Sequence, residues 1–204
     1  KGVALVCKGI MPYNTAVVLH LSCSVSDSPS VLFKNLVSSL EDAFILGAEA
    51  VSVHVNLSAE KDYAMLKDFG QIATECNKWR IPLLAMMYYR NEKGEKTDVK
   101  SVSLIARVAM ELGADIVKVP YTGDRKSFED VVASVNIPVV VAGGGLYNDI
   151  SEFYRFVEDA MWAGAAGVAI GRNCFQRSDR IEVINNVCNL VHQNHLACTN
   201  IALS

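Results

Sequence analysis

Apolar positions along the chain form short unbroken runs, separated by longer stretches in which they recur at every third and fourth residue. The unbroken runs are Gly2–Cys7, Ala16–Leu21, Ala50–Val55, Pro82–Tyr88, Asp115–Pro120, Pro138–Ala142 and Gly167–Gly171. Continuous apolarity without alternation is the pattern of strands covered on both faces. The stretches between them, Leu32–Gly47, Lys61–Trp79, Val99–Gly113, Ser127–Val135 and Ser151–Gly164, carry the helical period. Three of these end at a glycine just before the next strand (LGAEAVSVHV, LGADIVKV and AGAAGVAIG), where a left-handed helix stop is expected. Only the connection Lys8–Thr15 is too short for a helix.

Strand–helix alternation at this spacing predicts βαβ units and a parallel sheet, hence an α/β fold. A doubly wound sheet would usually carry a glycine-rich loop after its first strand, and none is present. Polar and glycine residues instead gather at the carboxyl ends of successive strands: Ser22, Asn56, Tyr88–Arg90, Tyr121–Asp124, Gly143–Gly145 and Gly171–Asn173. That distribution predicts a (β/α)8 barrel, whose active site lies at those ends. No linker or composition break divides residues 1–204, so one barrel domain is expected. Seven strands would leave unpaired parallel edges, so one further βα unit is expected upstream of Lys1.

Composition narrows the function. Of the 204 residues 51% are hydrophobic and 20% charged, which supports a large core and excludes a disordered chain. The net charge is −3 with no long basic run, so neither nucleic acid nor an anionic membrane is expected as partner. No apolar run reaches the roughly 18 residues of a membrane span, and a cytoplasmic protein is expected. The six cysteines, at 7, 23, 76, 174, 188 and 198, show neither a C-x-x-C pair nor regular spacing, and are read as free thiols.

Lys118 is the most informative residue. It stands mid-strand in Ile116–Pro120 with apolar neighbours on both sides, where an ammonium is costly. Burial favours the free amine, the form that attacks a carbonyl, so a Schiff-base nucleophile is one reading. A lysine that snorkels to solvent is the other. Tyr88 ends the preceding strand, roughly 4.8 Å away across the sheet, and could move a proton as general acid or base. It could equally cap the barrel mouth with its hydroxyl in water. Gly143 and Gly144, with Gly171 and Arg172, mark the last two strand ends, where barrels place a phosphate. His20 and His54 are read as packed, hydrogen-bonded residues, since no clustered partners indicate a metal. The charged stretch Arg90–Lys100 reads as a solvated loop.

These residues resemble the archaeal-type class I aldolases, in the barrel superfamily that also holds deoxyribose-phosphate aldolase, and above all the heptulosonate synthase branch. The matching stretches are AVSVHVN, IPLLAMMYYR, LGADIVKVPYTGD, PVVVAGG and DAMWAGAAGVAIGRNCFQ, from about Ala50 to Gln176, with weaker likeness in VCKGI and VVLHLS. The resemblance implies that Lys118 forms an imine with a phosphorylated ketose and that Tyr88 donates the proton. Tyr89 is a lesser candidate for that role, or for binding substrate. Arg90 would stand beside the proton donor, and Gly143, Gly144, Gly171 and Arg172 would hold the phosphate. A three-carbon phosphate fragment would leave, and the retained enamine would attack L-aspartate 4-semialdehyde on a route to 3-dehydroquinate and aromatic amino acids. No cofactor or metal is implied, and homo-oligomers are common in the family. Three departures stand out. The family's general-base aspartate lies in a D-H-G segment on a first strand that this sequence does not show. Y-P-R-G reads Tyr88-Tyr89-Arg90-Asn91, and G-G-P-K reads Gly143-Gly144-Gly145-Leu146. Archaeal-type fructose-bisphosphate aldolase, a thiolase of a phosphorylated quorum signal, a sugar-phosphate-binding barrel with weakened catalysis, and a phosphate-binding barrel of isomerase or flavin chemistry in which Lys118 acts only electrostatically are the alternatives.

Overall fold

The computed structural model describes residues 2–7 and 15–199, with side chains as far as His192 apart from that of Cys7. In chain order the elements are α1 (Gly2–Cys7), β1 (Val18–His20), β2 (Ser22–Cys23), β3 (Asn35–Leu36), α2 (Leu40–Leu46), β4 (Ala50–Leu57), α3 (Asp62–Trp79), β5 (Leu83–Asn91), β6 (Gly94–Lys96), α4 (Val99–Glu111), β7 (Ile116–Val119), α5 (Arg125–Ala133), β8 (Val139–Ala142), α6 (Ile150–Trp162), β9 (Gly167–Ala169), α7 (Arg172–Phe175) and α8 (Arg180–Thr199). The main sheet runs β1-β4-β5-β7-β8-β9, every neighbour parallel, with β6 added antiparallel to β5. Strand order follows chain order without reversal. Crossovers of one hand then put all helices on one side of the sheet, as in a barrel wall, whereas a doubly wound sheet reverses at a switch point. Among the described residues six parallel strands of the (β/α)8 pattern are present.

The alternation along each strand shows which side is which. Val51, Val53, Val55, Leu83, Ala85, Met87, Val117, Val119, Val139 and Val141 are buried under the helices, against Phe69, Ile105, Phe128, Phe153 and Val157. The positions between them point to the concave side, and it is there that the polar residues sit. Helix ends follow the sequence signals. Gly47 at φ 70°, Gly113 at φ 98° and Gly164 at φ 92° take the left-handed conformation that stops each helix. Asp98, Asp124 and Asp149 accept backbone N–H bonds at the starts of α4, α5 and α6. None of the described helices is long and apolar enough to cross a membrane. Cys23, Cys76, Cys174 and Cys188 are free thiols; Cys7 and Cys198 lie outside the described side chains.

Two segments differ from the sequence expectation. Gly2–Cys7 is a short helix, not a strand, and its Val3, Leu5 and Val6 are 79%, 59% and 75% exposed. An apolar run of six cannot by itself distinguish strand from helix, and among the described residues the segment pairs with no strand. The helix expected over Leu32–Gly47 begins only at Leu40. Ser39 and Asp42 form a reciprocal capping box there, and Leu21 O accepts bonds from Val37 and Ser38 that hold the preceding segment extended. The connection Lys8–Thr15 lies outside the described residues except at Thr15.

Candidate active site

Sheet register brings the chemistry together. Lys118 pairs with Met86 on one side and Val140 on the other, and Met86 pairs in turn with His54. One step nearer the carboxyl ends, Tyr88 pairs with Asn56. All these side chains share the concave face. Lys118, Tyr88, Arg90, Gly143, Gly144, Gly171 and Arg172 border a single cavity of about 610 Å³. Tyr89 does not. Strand alternation turns it to the opposite face, where it packs on the core beneath the Lys96 ammonium, 5.3 Å from the ring centre.

The Lys118 amine makes no hydrogen bond or ion pair among the described residues, and burial draws its pKa below the ordinary lysine value. That shift raises the share of the neutral amine, the form that is a nucleophile. Burial, and then the Glu95 carboxylate, push the Tyr88 phenol upward, against the opposing pull of Arg90 and Arg172. It therefore stays protonated at neutral pH and has a proton to give. Its ring packs on two groups: the His54 imidazole at 4.9 Å and 31°, and the Arg90 guanidinium at 4.9 Å. His54 Nε2 donates to Asn56 Oδ1 at 3.0 Å, while Asn56 Nδ2 donates to Leu32 O at 2.6 Å. That polarity assigns the proton to Nε2. Burial takes the His54 pKa down to about 4, so the ring is neutral. His20 Nδ1 bonds Ser52 Oγ at 2.8 Å, and burial, followed by the Lys118 charge, lowers its pKa. Both histidines are hydrogen-bonded as expected; His54 is also packed, on the Tyr88 ring, whereas His20 stands at an exposed strand end.

The far end of the cavity is a glycine turn. A Cβ on Gly143 would stand 2.9 Å from Ile170 Cγ1 and 3.2 Å from its Cα, so only glycine fits. Gly144 sits at φ 64°. Buried Asn173 donates to Gly143 O at 3.0 Å and Gly145 O at 2.6 Å, and accepts from Tyr147 N at 2.8 Å. Arg172 donates to Gly144 O at 2.8 Å. The turn's carbonyls are thus all bound, while the amides of Gly144 and Gly145 make no hydrogen bond among the described residues. Glycine amides left without a partner beside a guanidinium are the arrangement in which anions are commonly held.

The structure also brings in residues that the sequence reading passed over. Asn173 braces the turn, and Glu95, Thr97, Tyr121 and Tyr147 join the cavity wall. The Tyr121 hydroxyl is buried there without a partner among the described residues, and burial, then Asp159 and Asp124, push it up to about 12. Glu95 arrives because Arg90–Lys100 is not a plain loop. Asn91–Gly94 closes a hairpin that pairs Glu95 with Arg90. The Asn-Glu-Lys-Gly sequence is a turn signal that would have found it.

The family model for DeoC/LacD family aldolases matches residues 3–177. The chain belongs to this family. A 2-amino-4,5-dihydroxy-6-oxo-7-(phosphonooxy)heptanoate synthase of Streptomyces griseus is 41% identical over 182 residues, covering 89% of this chain and 66% of the relative. A 2-amino-3,7-dideoxy-D-threo-hept-6-ulosonate synthase of Archaeoglobus fulgidus is 43% identical over 194 residues, covering 95% and 72%. The chain therefore spans about two thirds of the length of the curated relatives it matches. Among solved structures, an archaeal fructose 1,6-bisphosphate aldolase superposes with a TM-score of 0.86 at 30% identity, covering 94% of this chain and 75% of that one. Another, described by its catalytic lysine bound covalently to the carbinolamine intermediate, gives 0.86 at 28%, covering 92% and 76%.

Proposed function

We propose that this DeoC/LacD aldolase joins a phosphorylated ketose to L-aspartate 4-semialdehyde through a Schiff base on Lys118, giving a seven-carbon amino acid that precedes 3-dehydroquinate. The observation that carries this is the Lys118 amine, lowered in pKa by burial and without a partner among the described residues, between the Tyr88 phenol and the glycine turn. The neutral amine adds to the ketone, and loss of water leaves an iminium that withdraws electrons from the adjacent carbon. Loss of a proton or of an aldehyde from that carbon gives an enamine, which attacks the incoming aldehyde. Tyr88, protonated at neutral pH, gives its proton to the new alkoxide, and water then hydrolyses the iminium to free the ketone product and the Lys118 amine. The Gly144 and Gly145 amides with Arg172 hold the phosphate. Both curated relatives described above are named as synthases of seven-carbon amino acids, in agreement with this reading.

Fructose 1,6-bisphosphate cleavage is the second reading, favoured by the likeness to the archaeal enzymes. The two separate in one assay. Incubation with dihydroxyacetone phosphate, or with a deoxyketohexose phosphate, together with L-aspartate 4-semialdehyde should yield a seven-carbon amino acid by mass spectrometry. Triose phosphates from fructose 1,6-bisphosphate, with no such product, would establish the second reading in its place.

A further inference from the structure

We propose that the Arg90–Glu95 ion pair is a specificity subsite for an α-amino acid head group on the acceptor aldehyde, Arg90 taking the carboxylate and Glu95 the ammonium. The proposal rests on the imine reading of Lys118 and deepens it.

Three observations converge. The first is the hairpin itself. Among the described residues β6 is the one antiparallel strand on the main sheet, and Gly94, Glu95 and Lys96 are all exposed, so its residues are not themselves part of the core. What it does is bring Glu95 into register with Arg90 and place both, with Thr97, in the cavity wall. The second is position. The glycine turn and Arg172 hold one end of the cavity at β8 and β9. Arg90 and Glu95 hold the other at β5 and β6, with Lys118 on β7 between them. β5 and β8 are two strand spacings apart, roughly 10 Å, so a substrate whose phosphate sits at the turn presents its other end to the pair. Arg90 is held beside the reaction centre by its packing on the Tyr88 ring.

The third is charge. Arginine alone would accept any carboxylate. Here the guanidinium already holds Glu95, and the two side chains are 34% and 25% exposed, open to a ligand yet partly desolvated. A bare acid must compete with Glu95 for Arg90 and is repelled by it. A zwitterion brings an ammonium to Glu95 as its carboxylate reaches Arg90, so charges alternate and none is stranded. The carboxylate of Glu95 thus acts as the repulsive element against acids without an amino group.

The test compares L-aspartate 4-semialdehyde with succinic semialdehyde, which keeps the carboxylate and chain length and lacks only the amino group. Both are assayed by kcat/KM with the same phosphorylated ketose donor, in the unsubstituted chain and in Glu95→Gln and Arg90→Gln. Borohydride trapping on Lys118 runs alongside. The unsubstituted chain should prefer the amino aldehyde at least tenfold, Glu95→Gln should erase that preference, and Arg90→Gln should weaken both aldehydes. If Glu95→Gln slows both equally, Glu95 acts through Arg90 or Tyr88 and the subsite is overturned. Missing adducts on Lys118 in the unsubstituted chain would instead overturn the imine reading, and the subsite with it.

Discussion

Tyr88 can serve as an acid because of what touches it. Its phenol is kept protonated by burial and by Glu95, and its ring is held by a neutral His54 and by Arg90. Removing the hydroxyl alone, in Tyr88→Phe, should leave the Lys118 adduct intact and lower turnover by about 10²–10⁴-fold, the usual worth of a placed proton donor. Rapid-quench separation of imine formation from product release checks this. His54 adds a stability signature. Its folded pKa of about 4 lies below the ordinary 6.5, so only the unfolded chain gains a proton between those values. Stability is therefore complete above pH 6.5 and falls as pH drops toward 4. Urea midpoints across that range should fall less steeply in His54→Phe. Lys118 was legible in the sequence because a lysine inside an apolar strand demands an explanation. Glu95 and Asn173 were not, since nothing local marks a carboxylate that gains its partner across a hairpin or an amide that ties down a turn roughly thirty residues earlier.

At the scale of elements, the proposed anion site is built by the close meeting of two strand ends. Gly143 packs against Ile170, and Asn173, at the start of α7, binds the carbonyls of the turn. Asn173→Ala would strand two carbonyls and the Tyr147 amide, an expected loss of about 1–3 kcal/mol of stability with a raised KM for the phosphorylated ketose. Denaturant titration and steady-state kinetics measure the two effects. A loss of stability with KM unchanged would mean the turn does not hold the phosphate. The strands read well from sequence because burial on both faces leaves an unbroken apolar run. Gly2–Cys7 shows the limit of that rule, for a run of six apolar residues is equally able to form a helix. Likewise, α2 starts where its capping box lies, a signal of specific side chains that periodicity over Leu32–Gly47 hides.

Across the whole molecule, the sheet has two jobs. One face is sealed by helices and supplies the core, and the other carries a polar row that crosses three strands from His54 past Met86 to Lys118. Because the winding never reverses, every strand delivers its carboxyl end to the same rim. Residues distant in sequence, Tyr88, Lys118, Gly143 and Arg172, therefore meet at one cavity. Lys118 is the proposed nucleophile. Its most direct test is borohydride trapping with dihydroxyacetone phosphate across a pH series, followed by peptide mass spectrometry. Since the neutral amine attacks and burial lowers its pKa, the account predicts an adduct on Lys118. The trapping rate should rise with pH and level off below the 10.5 of an ordinary lysine. An adduct on another lysine, or none at any pH, would contradict it.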